Sequence, residues 1–129
     1  MSTQQPVDRY AQFLGIEVTG HGGGRAVSTV TVTEDHLNPH DTTHGAFVFA
    51  LVGTAVAAAA NDDEHTGVAS AIHIDYLRPT RLGDALTAEA VVGERLPKED
   101  LFVIRVTRDA DGDVVARATA RFTRRVRAR

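Results

Sequence analysis

The residues best placed for chemistry lie at the start of the run "HLNPHDTTHGAFVFALVGTAVAAAAND", His36 to Asp62. His36, His40 and His44 recur every four residues, which on a helix would form a metal-binding stripe. Asn38-Pro39 argues against a helix there, and no carboxylate stands in an obvious ligand position, so metal binding is not expected. The run "THGA" places Gly45 where an apolar segment opens. A helix beginning there would present unpaired N–H groups and a partial positive charge, suited to a phosphate or a developing oxyanion. Gly45 and Ala46 could equally be small because the helix packs tightly, and both readings stand. There is no serine-centred nucleophile elbow. The glycines of "GHGGG" do not open a helix, which argues against a dinucleotide loop.

The elements that must position these residues are legible in the hydrophobic pattern. Between Gly45 and Ala60 the only polar side chain is Thr54. The segment is 16 residues, about 24 Å as a helix, whereas a membrane span needs about 20 residues. A helix apolar on all sides but too short to span belongs inside a protein. The alanines favour helix over strand, and Asp41, Thr42 and Thr43 are candidate caps, so a central helix is expected over Thr43 to Asn61. The segments after it alternate with period two, as half-buried strands do. Val68, Ser70, Ile72, Ile74 and Tyr76 fall on one face. So do Leu86, Ala88, Ala90 and Val92, then Phe102, Ile104 and Val106, then Val114, Ala116, Ala118, Ala120 and Phe122. Asp111-Gly112 marks a hairpin between the last two. Before the helix, "IEV" and "AVSTVTVT" read as two more strands joined by "GHGGG", after a short helix over Asp8 to Phe13 that ends near Gly15. The expected fold class is α+β, an antiparallel curved sheet wrapped around one long buried helix.

A chain of 129 residues, 43% hydrophobic and 24% charged, fits one globular domain over 1–129. One sheet around one helix leaves sheet edges and part of the helix uncovered, and a homodimer or a dimer of dimers is the expected remedy. The chain has no cysteine, and "MSTQQPVDRYAQF" has neither the basic nor the apolar region of a signal peptide, so a cytoplasmic location is expected and membrane association is not. The tail "RFTRRVRAR", basic from about Arg124, is read as a frayed, solvated terminus. A net charge of −3 with two tyrosines and five phenylalanines argues against nucleic-acid binding.

"HLNPHDTTHGAFVFALVGTAVAAAAN" resembles the signature of hotdog-fold acyl-CoA thioesterases of the phenylacetate-degradation (PaaI) type. That signature has an Asn, a His-Gly-Gly opening the helix, an acidic residue about two turns in, and often a closing Asn; Asn38, His44, Gly45 and Asn61 match. "IDYLRPTRLGDALTAEA" resembles the Arg-Pro and Gly-Asp turns that follow, and "DGDVVARATARF" the last hairpin, so the likeness runs from about Ile16 to Thr123. It implies a hotdog homodimer, its sheets joined edge to edge, with interfacial sites that hydrolyse an acyl-CoA thioester to acid and CoA. CoA would be part of the substrate, and no separate cofactor is implied. The Gly45 amide would polarise the thioester carbonyl, while Asn38 and His44 would order the loop and the substrate or water. A helix carboxylate of the other subunit would act as base or nucleophile.

Gly53 stands where that carboxylate is expected, Ala46 replaces the second glycine, and Asp41 stands near a usual loop glycine. Gly53 could widen the acyl pocket or admit a partner backbone. It could mark a substitution that removed the base, or drift in a domain that no longer hydrolyses anything. Asp41 is the nearest candidate replacement, although a loop aspartate or a cap is the simpler reading. Asp62 and Asp63 lie about 13 Å further along the helix. Phe47, Thr54, Asn61, Arg78 and Arg81 are candidate substrate-binding residues. The two arginines flank Pro79 in the turn where the family often receives the pantetheine-phosphate arm. The alternative to hydrolysis is a non-catalytic acyl-thioester binding protein of the same fold.

Overall fold

The computed structural model describes residues 7–127. A short helix, α1 (Arg9–Leu14), is followed by β1 (Glu17–Gly22), β2 (Arg25–Thr31), a 3-10 turn over Glu34–His36 and the long helix α2 (Gly45–Ala60). Four strands follow: β3 (His65–Tyr76), β4 (Ala85–Arg95), β5 (Glu99–Arg108) and β6 (Val114–Val126). All pair antiparallel in one six-stranded sheet of order β1-β2-β4-β5-β6-β3. The expectation of an antiparallel sheet curved around one long helix is met.

The sheet accepts this helix because its inner face is lined with small side chains. Ala88, Ala90, Ala116, Ala118 and Ala120 are all buried there, between larger Leu86, Phe102, Ile104 and Phe122. Against them α2 buries Phe47, Val48, Leu51, Val52, Ala55, Val56 and its last three alanines. At about 1.5–3 kcal/mol for each large apolar side chain buried, this contact dominates the stability of the fold. Ser28, fully buried on β2, donates to the Leu51 carbonyl at 3.0 Å, so its hydroxyl is satisfied inside the core.

The turns follow the backbone demands of their residues. Gly23 and Gly24, with φ of 64° and 77°, form the two-residue β1–β2 hairpin, a conformation open to glycine at little cost. β1 therefore runs on to Gly22, well past the expected "IEV". Gly67 has a different reason: a Cβ there would lie 2.9 Å from the Ala60 Cβ and 3.0 Å from its carbonyl oxygen. Among the described residues no helix is long and apolar enough to cross a membrane.

Several sequence expectations are corrected. The cap of α2 is His44, not Asp41, Thr42 or Thr43, and the helix is two residues shorter at its start and one at its end than expected. Perfect alternation fails in β3, where the register shifts between Ala69 and Ala71. This bulge at Ser70 places Ala69 opposite buried Phe122 and Val68 opposite exposed Thr123, so Val68 leaves the face of Ile72 and Ile74. A second shift, between β5 and β6, buries Val115 and leaves Val114 half-exposed. The basic tail is strand as far as Val126, with Ala128 and Arg129 outside the described residues.

Arg124 explains why the tail is held. Asp100 is almost fully buried, and its carboxylate lies 3.2 Å from Arg124 and 4.0 Å from Arg95. Arg124 also donates to the Leu96 carbonyl, and Arg127 donates to the Asp62 carbonyl at 2.6 Å. Removing one partner of a buried pair leaves an uncompensated charge, which costs about 3–5 kcal/mol. Arg124→Ala is therefore expected to destabilise the fold by about 3 kcal/mol in urea denaturation. Arg125→Ala, on the exposed neighbour, should change stability by less than about 0.5 kcal/mol.

Candidate active site

The loop before α2 is ordered by its own side chains. Asn38 accepts from the His40 N–H at 2.8 Å and the Thr42 N–H at 3.2 Å, and its amide donates to the Thr42 hydroxyl at 2.7 Å. The tight path puts Asp41 at φ 62°, a left-handed conformation that aspartate tolerates. His36 is buried, with its ring 3.7 Å from that of Phe47. Its Nδ1 accepts from the Thr33 N–H at 2.9 Å, and its Nε2 lies 2.9 Å from the Leu14 carbonyl, which makes Nε2 the protonated nitrogen. The Thr43 N–H donates to the Thr80 carbonyl at 2.8 Å, and the Thr80 hydroxyl to that of Thr43 at 2.7 Å. The Arg-Pro turn and the helix start are thus fastened together.

One helix-start amide is left over. The His44 carbonyl accepts from Phe47 and Val48, and the His44 Nδ1 accepts from the Ala46 N–H at 3.0 Å. The Gly45 N–H has no acceptor among the described residues. Since Nδ1 accepts, neutral His44 carries its proton on Nε2, and the ring is exposed. Tyr76, which pattern reading assigned only to a strand face, stands over this point. Its phenol donates to the Gly45 carbonyl at 2.8 Å, and a Cβ on residue 45 would lie 3.2 Å from the ring and from the hydroxyl oxygen. Desolvation pushes the Tyr76 hydroxyl above its ordinary value, so it stays a neutral donor near neutral pH. The signal available in sequence was an aromatic with a polar tip just before "RP". A pocket of about 320 Å³ opens here, lined by Thr43, Gly45, Val48, Tyr76, Arg78 and Pro79 among others.

A second pocket, about 510 Å³, shares Tyr76 and runs along the side of α2 past Ala46, Phe49 and Gly53 to Asp8 and Tyr10. A Cβ on Gly53 would meet no atom within 4 Å. Thr54 lines this pocket, but its hydroxyl is engaged by the Ala50 carbonyl at 2.8 Å. Phe49 is 39% exposed on the pocket wall, whereas Phe47 is turned into the core under His36 and borders neither pocket. Asn61 caps the far end of α2. Its amide donates to the Ala57 and Gly67 carbonyls, and its oxygen accepts from the Gly67 N–H at 3.1 Å. Its side chain thus clasps the entry to β3, beside a groove between α1 and α2 that Thr54 also borders.

Arg78 borders the Gly45 pocket, with Nε 3.8 Å from Asp113 and most of its side chain in solvent. Arg81 is exposed and borders neither pocket, and its backbone N–H donates to Asp84. Asp41 is exposed and also borders neither. The structure therefore gathers Gly45, Tyr76 and Arg78 at one pocket, and Gly53, Thr54 and Phe49 at its neighbour. Phe47, Arg81 and Asp41 stand apart from both.

A long helix packed in a curved antiparallel sheet is the arrangement of a hotdog protein. The thioesterase superfamily model matches residues 40–95. The acyl-coenzyme A thioesterase PaaI of Escherichia coli (strain K12) is 41% identical over 99 residues, which are 77% of this chain and 71% of that protein. The solved structure of the E. coli PaaI protein from the phenylacetic acid degradation operon superposes with a TM-score of 0.87 at 37% identity, covering 92% of this chain and 85% of that one. A mutant of the phenylacetic acid degradation protein PaaI from Thermus thermophilus gives a TM-score of 0.85 at 32% identity, covering 90% of this chain and 98% of that one. The chain belongs to the thioesterase superfamily and has the hotdog fold.

The open space at Gly53 has a measurable consequence. Alanine is favoured over glycine inside a helix by about 1 kcal/mol, and here its methyl meets nothing. Gly53→Ala is expected to raise the urea midpoint, with a gain of about 1 kcal/mol. A loss of stability would mean that a second subunit fills the space.

Proposed function

We propose that this protein hydrolyses an acyl-CoA thioester to the free acid and CoA, working as a homodimer or a dimer of dimers. The observation that carries the reading is the unpaired Gly45 N–H at the start of the buried helix. A thioester carbonyl oxygen accepting from that amide gains the partial positive charge of the helix end, and gains more as it becomes an oxyanion. Tyr76 fixes the donor by holding the Gly45 carbonyl, and Asn38 holds the loop that delivers it. The exposed His44 Nε2–H is free to orient substrate or water. Arg78, beside the same pocket, suits the phosphates of CoA. CoA enters as part of the substrate, and the mechanism calls for no separate cofactor. Kinship with an acyl-coenzyme A thioesterase supports this substrate class.

Assembly is supported by the uncovered surface. β3 is an edge strand, and its inward residues Ile72 and Ile74 are only half-buried. Ala46 and Phe49 of α2 are exposed on the side the sheet does not cover. A second subunit would close both. Sedimentation at micromolar concentration should give a dimer or tetramer, and a monomer would defeat the interfacial site.

Gly53 favours a second reading, binding without turnover, because glycine offers no carboxylate at the position the family resemblance assigns to the acid. A thiol-release assay across aryl, short and medium acyl-CoAs separates the two. Hydrolysis predicts saturable CoA release, whereas calorimetric binding without release would establish the second reading. In either case Arg78→Ala should weaken acyl-CoA binding more at low salt than at high, since an exposed charge is screened. Equal affinity at both salts would remove Arg78 from the site.

A further inference from the structure

We infer that the carboxylate serving the thioester site comes from Asp8, on the α1 wall of the pocket, instead of from α2. The inference rests on the hydrolytic reading above. Asp8 is the only carboxylate among the described residues lining the pocket onto which Gly53 opens, and it shares that pocket with Ala46, Phe49 and Tyr76. It also borders the adjoining groove with Thr54 and Asn61. As the cap of α1, its Oδ1 accepts from the Ala11 N–H at 2.9 Å. This bond fixes the side chain, while Oδ2 has no partner among the described residues. A Cβ on residue 53 would meet no atom within 4 Å, so the pocket that Asp8 borders has room for a water beside α2.

Asp62, Asp75 and Asp41 are engaged or misplaced, and Glu17 borders the adjoining groove but not the pocket of Gly53. Asp62 accepts from the Glu64 and His65 N–H groups and lies 3.5 Å from the His65 ring. Asp75 is exposed and lies near His73 and Arg117. Asp41 borders neither pocket. Asp8 alone accompanies Gly53, so an assembly that brings a partner's helix start to Gly53 brings it to Asp8 as well.

In the reaction, Asp8 takes a proton from water as the water oxygen bonds to the thioester carbonyl carbon. The oxyanion so formed is held by the Gly45 N–H. Its collapse breaks the carbon–sulfur bond, and the departing thiolate recovers the proton from Asp8. One water and one thioester give one acid and one thiol.

The test is Asp8→Asn, which keeps the cap, since asparagine and aspartate cap equally well, and removes the base. Thiol release and its pH profile are measured on the assembled protein, with Asp8→Ser as a second capping variant. Both variants should lose kcat by about 10²–10⁴-fold with KM little changed, and the pH profile of the residual kcat should differ from that of the wild type. Gly53→Asp in the Asp8→Asn background should restore turnover by returning a carboxylate to the same pocket. Unchanged kcat in Asp8→Asn would overturn the role of Asp8 and leave hydrolysis standing. So would a lowered kcat whose pH profile still matches the wild type. A wild type that binds acyl-CoA without releasing thiol would overturn hydrolysis and the role of Asp8 together.

Discussion

Everything in this molecule is arranged around one constraint: α2 is apolar on nearly every side and must be covered. A helix of this kind cannot sit on a sheet by one stripe, as a surface helix does. The sheet has to curl around it, and the inner face has to be shallow enough to let it in. That is why alanine recurs at inward positions of β4 and β6. Larger residues would hold the backbones apart, and the close packing that stabilises the core would be lost. The same closeness demands glycine at residue 67, where the sheet passes the end of the helix.

Burying the helix creates the site. The first N–H groups of any helix lack intrahelical partners, and inside a protein they must be satisfied or put to use. Here His44 satisfies one through Nδ1 and two through its carbonyl, leaving Gly45. The remaining amide is held in place by threonine, asparagine and tyrosine contacts drawn from the end of β3, the turn after it and the loop before α2. A group so fixed needs no reorganisation when charge develops on a bound carbonyl, which is the physical source of oxyanion stabilisation. On the proposed function, tertiary packing and chemistry share the same residues.

What could be read from the sequence follows from how local each signal is. The helix, the succession of strands along the chain and the 111–112 hairpin rest on periodicity and turn chemistry, and these survive folding. Although the cap, expected at Asp41, Thr42 or Thr43, falls on His44, Asn38, His44 and Gly45 were legible as candidates because they match one contiguous signature. Ser70 was not, because a bulge is set by the neighbouring strand and leaves the hydrophobic pattern almost unchanged. Arg124 read as a solvated tail residue because its partner Asp100 is distant in sequence and is brought beside it only when β5 pairs with β6. Phe47 and Phe49 are two residues apart and look equivalent in sequence. Helical geometry turns one under His36 and the other onto the pocket wall.

Asp8 illustrates the same limit most sharply. In sequence it opens a short helix 45 positions before Gly53, with nothing to join the two. Folding lays α1 against the part of α2 that the sheet leaves open, and the pair come to border one pocket. A catalytic position on a buried helix is constrained by the backbone to one spot, but the charge it supplies is not. Any element that covers the open side of the helix can present a carboxylate to that space, provided the helix residue leaves room. Glycine leaves the most room of all. The side chain missing from α2 and the carboxylate presented by α1 can thus be two parts of one arrangement, in which the acid has moved from the helix to the segment that covers it.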